Sequence, residues 1–91
     1  MENLIKSLKE NKTIYTETIR NKTGMSRQVS FFGRIDGEFM NISKILHELL
    51  EYRINKKGDA LIFHGCGYDP TDFIKETLKS KFDIDVRFEK L

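Results

Sequence analysis

The chain has 91 residues, enough for one domain spanning 1–91 and too few for two separate cores. Its composition is 38% hydrophobic and 33% charged, with abundant Phe, Ile and Leu, which excludes a disordered chain. Sixteen Lys and Arg against fourteen Asp and Glu leave a net charge of +2, which excludes a mimic of DNA and gives none of the cationic excess of a dedicated nucleic-acid binder.

Glu2 to Asn11 predicts a short helix, with Leu4, Ile5 and Leu8 on one side. The stretch also carries Glu2, Lys6, Lys9 and Glu10, so it reads as neither a signal peptide nor a membrane span. Thr13 to Arg20 is rich in Thr, Ile and Tyr and predicts a strand. Neither of its faces is cleanly apolar, so it is expected at an edge or under the first helix. Asn21 to Ser26 reads as a turn around Gly24.

Gln28 to Ile35 predicts the next strand, with Val29 and Phe31 on one face and Phe32 on the other. Asp36-Gly37 is a tight-turn signal, and Glu38-Phe39-Met40 starts the return strand of a hairpin. Asn41 or Ser43 then caps a helix to about Tyr52, carrying the stripe Ile42, Ile45, Leu46, Leu49 and Leu50. Ala60 to His64 is a short apolar run between glycines and predicts a buried strand. Asp69-Pro70 starts a helix, Asp as cap and Pro at the first position, with Phe73, Ile74, Thr77 and Leu78 inward. Asp83 to Leu91 alternates Ile84, Val86 and Phe88 against Asp85, Arg87 and Glu89, the mark of a strand with one wet face. The elements add to an α+β fold. It has a single mostly antiparallel sheet of four to five strands, two main helices and a short N-terminal one.

The chemistry-bearing residues gather around Leu61 to Phe73. His64 and Cys66 fall on one side of an extended chain, Asp69 follows, and His47 flanks the apolar stripe of the preceding helix. Two imidazoles, a thiolate and a carboxylate are a donor set that zinc accepts, and a small core gains from such a staple. The competing reading makes Cys66 a small buried apolar residue and Asp69 only a cap. A third makes Cys66 a nucleophile with His64 as base, but no third orienting group accompanies them. The chain is therefore read as non-enzymatic. The lone cysteine excludes an internal disulfide and suits a reducing, intracellular setting. Arg20, Lys22, Arg27 and Arg34, with Tyr15, Phe31 and Phe32, suggest a basic and aromatic sheet surface for single-stranded nucleic acid. Against it, the phenylalanines suit a core and the charges a solvated face.

Gly24-Met25-Ser26-Arg27 before a strand, and Gly65-Cys66-Gly67-Tyr68-Asp69 before a helix, resemble the motifs of a family of small proteins encoded by phages and mobile elements. Members show a GMSR- or GMTR-like turn and a GCGMD loop, and the resemblance covers about residues 23 to 80. Its members tend to continue Met-Gly-Phe-His, where this chain has Pro70, Thr71, Asp72 and Phe73. A histidine of the relatives is thus missing, and His64 would have to serve in its place. The resemblance implies a phage gene acting in the cytoplasm of a bacterial host. The family carries no settled activity to transfer, but small phage proteins without a catalytic set are often inhibitors of host defence, so the expectation is a non-catalytic inhibitor, first an anti-CRISPR protein that binds Cas9 and blocks target-DNA loading or activation. The alternative is a small accessory protein that binds nucleic acid or a host regulator. The expected contacts are Glu48, Glu51, Asp85, Arg87 and Glu89, the expected ligands of a structural zinc are His47, His64, Cys66 and Asp69, and the expected state is a monomer or homodimer.

Overall fold

A computed structural model describes residues 2–20, 26–64 and 70–91. The elements in chain order are α1 (Glu2–Asn11), β1 (Thr13–Arg20), β2 (Ser26–Ile35), β3 (Glu38–Asn41), α2 (Ser43–Leu50), β4 (Leu61–His64), α3 (Pro70–Phe82) and β5 (Arg87–Lys90). They build the expected α+β fold around one five-stranded sheet, antiparallel except where β5 runs parallel to β1.

β2 is the longest strand and organises the rest. One of its edges pairs with β1, from Tyr15 opposite Phe32 to Arg20 opposite Arg27. Its other edge is shared: β3 pairs with Phe32 to Ile35, and β4 pairs with Ser26 to Val29. β3 and β4 run the same way, so together they form one strand interrupted by residues 42–60. The interruption leaves Ser30 and Phe31 of β2 without strand partners on that edge. Side chains and loop backbone fill in. The Phe31 amide donates to Ser43 Oγ at 2.8 Å, and the Ile42 amide donates to the Phe31 carbonyl at 2.7 Å. Ser30 Oγ and Asn41 Nδ2 both donate to the Asp59 carbonyl at 2.8 Å. A buried backbone group needs such a partner, because leaving it bare forfeits the bonds it made with water.

Local chemistry explains most boundaries. Asp36 and Gly37 both have positive φ, at 51° and 83°, which is the turn that matches strand twist in a two-residue hairpin. Asn41 Oδ1 accepts the Ser43 amide at 2.8 Å, so the cap of α2 comes from one residue before Ile42, the residue at the cap position. α2 stops at Leu50, short of the expected Tyr52, because Glu51 turns left-handed at φ 56°. The last strand is also shorter than its alternation predicts. Asp83 has φ 56°, and Ile84 and Val86 bury themselves from an irregular segment before β5 starts.

The helices put their apolar sides into one core. Leu4 and Leu8 of α1, Leu46 and Leu50 of α2, and Ile74 and Leu78 of α3 cluster with Ile14, Val29, Phe31 and Leu61 of the sheet. Phe31 packs edge-on against Phe88 at 6.2 Å between ring centres. β1 is central, lying between β2 and β5, which rules out the edge position, one of the two places expected for it. Its sequence lacks a clean apolar face because only Ile14 reaches the core fully, while Tyr15, Glu17 and Ile19 occupy the opposite face of the sheet.

Candidate functional site: the exposed sheet face

The face of the sheet turned away from the helices carries the most distinctive surface. Pairing fixes its layout. Tyr15 of β1 lies opposite Phe32 of β2 and, on the other side, opposite Glu89 of β5. Arg34 of β2 lies opposite Phe39 of β3, and Arg87 of β5 lies opposite Thr13. Phe39 leans over this surface. Its ring stacks on Phe32, 5.9 Å between centres and 7° between planes, and meets Tyr15 edge-on at 5.6 Å. Phe39 is 44% exposed and Ile19 42%, large values for apolar side chains on a small protein. An aromatic band therefore crosses the sheet, with Arg34 and Arg87 along one side, Glu17 along the other and Glu89 at its β5 end. Arg87 Nε and a Glu89 oxygen are 4.0 Å apart.

Beyond Ile19 the face ends at the 53–60 turn. Asn55 organises it: its Oδ1 accepts the Asp59 and Ala60 amides at 3.0 and 3.2 Å, and its Nδ2 donates to Gln28 Oε1 and Asp59 Oδ1 at 3.0 and 2.7 Å. Gly58 occupies the one position of this turn with positive φ, 75°. Lys56 and Lys57 stand exposed at the tip.

The expected contact residues divide between surfaces. Arg87 and Glu89 flank the aromatic band. Asp85 does not; it pairs with Lys79 of α3 at 3.2 Å, beside the Lys79–Asp83 pair at 3.1 Å. Hydrogen bonds donated to Asp83 and then to Asp85 hold the Lys79 ammonium above the usual lysine range. Glu48 and Glu51 belong to α2 and its C-terminal turn, an element that packs on the helix side of the sheet.

The basic and aromatic stripe expected for nucleic acid is likewise split. Tyr15, Phe32 and Arg34 share the exposed face, but Phe31 is fully buried in the core. The Arg27 guanidinium sits 5.2 Å from the centre of the Phe63 ring, which belongs to the helix side. Lys22 and the Arg20 side chain lie outside the described residues.

Of the expected zinc ligands, Cys66, Asp69 and the His64 side chain lie outside the described residues. His47 is described and half-buried. Its Nδ1 bonds to the Tyr52 carbonyl. A carbonyl only accepts, so Nδ1 carries a proton, and in the neutral ring that leaves the lone pair on Nε2. That is the tautomer a metal-bound imidazole uses, with the second nitrogen tied to a backbone oxygen. Among the described residues, no group of three His, Cys, Asp or Glu side chains is placed to hold a metal ion. Among them too, no helix is long and apolar enough to cross a membrane.

No protein-family model matches the chain, and neither a curated protein nor a solved structure does.

Sequence reasoning missed Phe39 and Ile19 as surface residues. The signal for Phe39 was present: a two-residue Asp36-Gly37 loop sets Ile35 opposite Glu38, which puts Phe39 on the face of Phe32 and Arg34.

Proposed function

We propose that the protein acts without catalysis, by stoichiometric binding of a host protein through its exposed sheet face. The observation that carries this reading is the Tyr15–Phe32–Phe39 cluster. Aromatic side chains bordered by charges of both signs are the composition of a protein-binding patch, with an apolar centre and a polar rim. The charges Arg34, Arg87, Glu17 and Glu89 cancel across the face, which favours a protein over a polyanion, since phosphate binding rests on cationic excess. The motif resemblance makes a defence protein of a bacterial host the first partner to test, and Cas9 the first of those. Docking there would block target-DNA loading or a conformational step of the nuclease.

A structural zinc held by His47, His64, Cys66 and Asp69 belongs to the same proposal. It is supported by the donor chemistry of the four residues and by the His47 tautomer. In that role it would tie the chain around β4 and α3 to α2, leaving the sheet face as the working surface.

The test is a cleavage assay with purified Cas9, guide and target DNA, run with the protein in molar excess. Inhibition that follows one-to-one titration, and that Phe39→Asp abolishes, is the expected outcome. Unchanged cleavage removes that Cas9 as the partner. Retention of single-stranded RNA or DNA in a low-salt polarization assay, lost in Phe39→Asp, would replace the protein partner with nucleic acid.

A further inference from the structure

The charges on the exposed face are arranged in rows, and the rows are self-complementary. Strand pairing puts Arg87, Arg34 and Phe39 on one level across the sheet. The next level on this face holds Glu89, Tyr15 and Phe32, and the level after that holds Glu17 and Ser30. A twofold axis running across the strands at the level of Tyr15 and Phe32 would reverse this order in a second copy. The aromatic levels then superpose. Arg34 of each copy falls over Ser30 of the other, next to Glu17, and Arg87 falls on the other flank of the same Glu17. Glu89 meets its own counterpart only at the rim, where Arg87 lies 4.0 Å from it.

We infer that this face pairs with a second copy of the chain, the aromatic bands packing together and Glu17 of each protomer seated between Arg34 and Arg87 of its partner. Two sheets so packed lie about 10 Å apart, a distance their interleaved side chains fill. The patch runs about 20 Å along β1 at about 3.3 Å per residue, and about 20 Å across the strands at about 4.8 Å each. That is about 400 Å² per copy, below the size of a stable specific interface, so the pairing is weak and concentration-dependent. Pairing uses the surface proposed for the host protein but rests on the charge rows, not on that reading. It makes self-association and host binding mutually exclusive, so dilution exposes the docking face.

Sedimentation equilibrium of the full chain alone, over a concentration series, tests the pairing. Wild type is expected to pass from monomer to dimer with a dissociation constant in the range of about 1 to 100 µM. Glu17→Arg or Arg34→Glu alone should raise that constant by about tenfold or more, because each reversal sets like charges together at two symmetric places. The double exchange Glu17→Arg with Arg34→Glu should recover part of the lost affinity, because residue 17 is matched again to residue 34 while Arg87 stays opposed to it. Circular dichroism melts of all variants separate lost pairing from lost folding. A wild type that stays monomeric to about 1 mM, well beyond that range, overturns the inference. So does a double exchange that stays as weak as the single ones. Neither result touches host binding, which is read with the partner present.

Discussion

Replacing Ser43 with Ala is the sharpest test of how the interrupted strand is held. Ser43 is fully buried, and its Oγ accepts the Phe31 amide at 2.8 Å in the middle of β2. Alanine fits the space and suits a helix slightly better than serine, by a few tenths of a kcal/mol. The loss is therefore the cost of a buried N–H with no acceptor, about 1 to 3 kcal/mol. For a chain of this length that lowers the melting midpoint by about 5 to 20 °C. Ser30→Ala is the internal comparison. Ser30 donates to the Asp59 carbonyl, which also accepts from Asn41 Nδ2, so its removal leaves no orphan. The cost there should stay below about 1 kcal/mol. Urea unfolding of both variants, with amide exchange read at Phe31, decides the matter. A Ser43→Ala protein as stable as Ser30→Ala, with Phe31 still protected, would refute the reasoning.

Other outcomes follow from the same contacts. Asn55→Ala removes four hydrogen bonds from the 53–60 turn and should cost about 1 to 3 kcal/mol in urea unfolding, with water replacing part of the loss at this half-exposed site. Gly33 faces the core, where an added Cβ would lie 3.3 Å from Ile42 Cδ1. Gly33→Val should therefore cost about 1 to 3 kcal/mol by overpacking, and Gly33→Ala clearly less, as thermal melts will report. Metal analysis of protein purified without added zinc should find one zinc per chain, with melting lowered by a chelator. Metal content near zero and an unchanged melt would remove the zinc and leave His47 with a purely structural bond to Tyr52.

Much of the fold was legible because local rules and tertiary structure agree. The Leu4/Leu8, Leu46/Leu50 and Ile74/Leu78 pairs sit at helical spacing and all reach the core. The Asp36-Gly37 signal gave the hairpin, and its register follows from the loop length. What escaped depends on partners distant in sequence. Nothing local to Thr13–Arg20 says that β5, more than sixty residues later, will pair with it in parallel and make it central. Nothing in Glu38–Asn41 or Leu61–His64 says that they will share one edge of β2. Ser43 and Asn55 read as a cap and a turn residue, and their satisfying roles exist only once that edge is interrupted. The site was half legible. Tyr15, Phe32 and Arg34 were singled out as one surface, but Phe31 was grouped with them against the period of two. Arg87 and Glu89 lie on this face, and Glu48 and Glu51, exposed as expected, belong to an element on the other side of the sheet.

The placement of the working surface has one most direct measurement. Binding to the proposed partner, purified Cas9, should be compared for wild type, Phe39→Asp, and the double variant Glu48→Lys with Glu51→Lys, each first shown to fold by its melt. Phe39 is nearly half exposed, so aspartate there leaves the core intact while placing a charge at the centre of the aromatic band. The account predicts that Phe39→Asp lowers affinity by at least about thirtyfold, the loss of a central aromatic anchor, while the α2 variant binds as wild type does. Full affinity in Phe39→Asp together with lost binding in the α2 variant would contradict it and move the docking surface to the helix side.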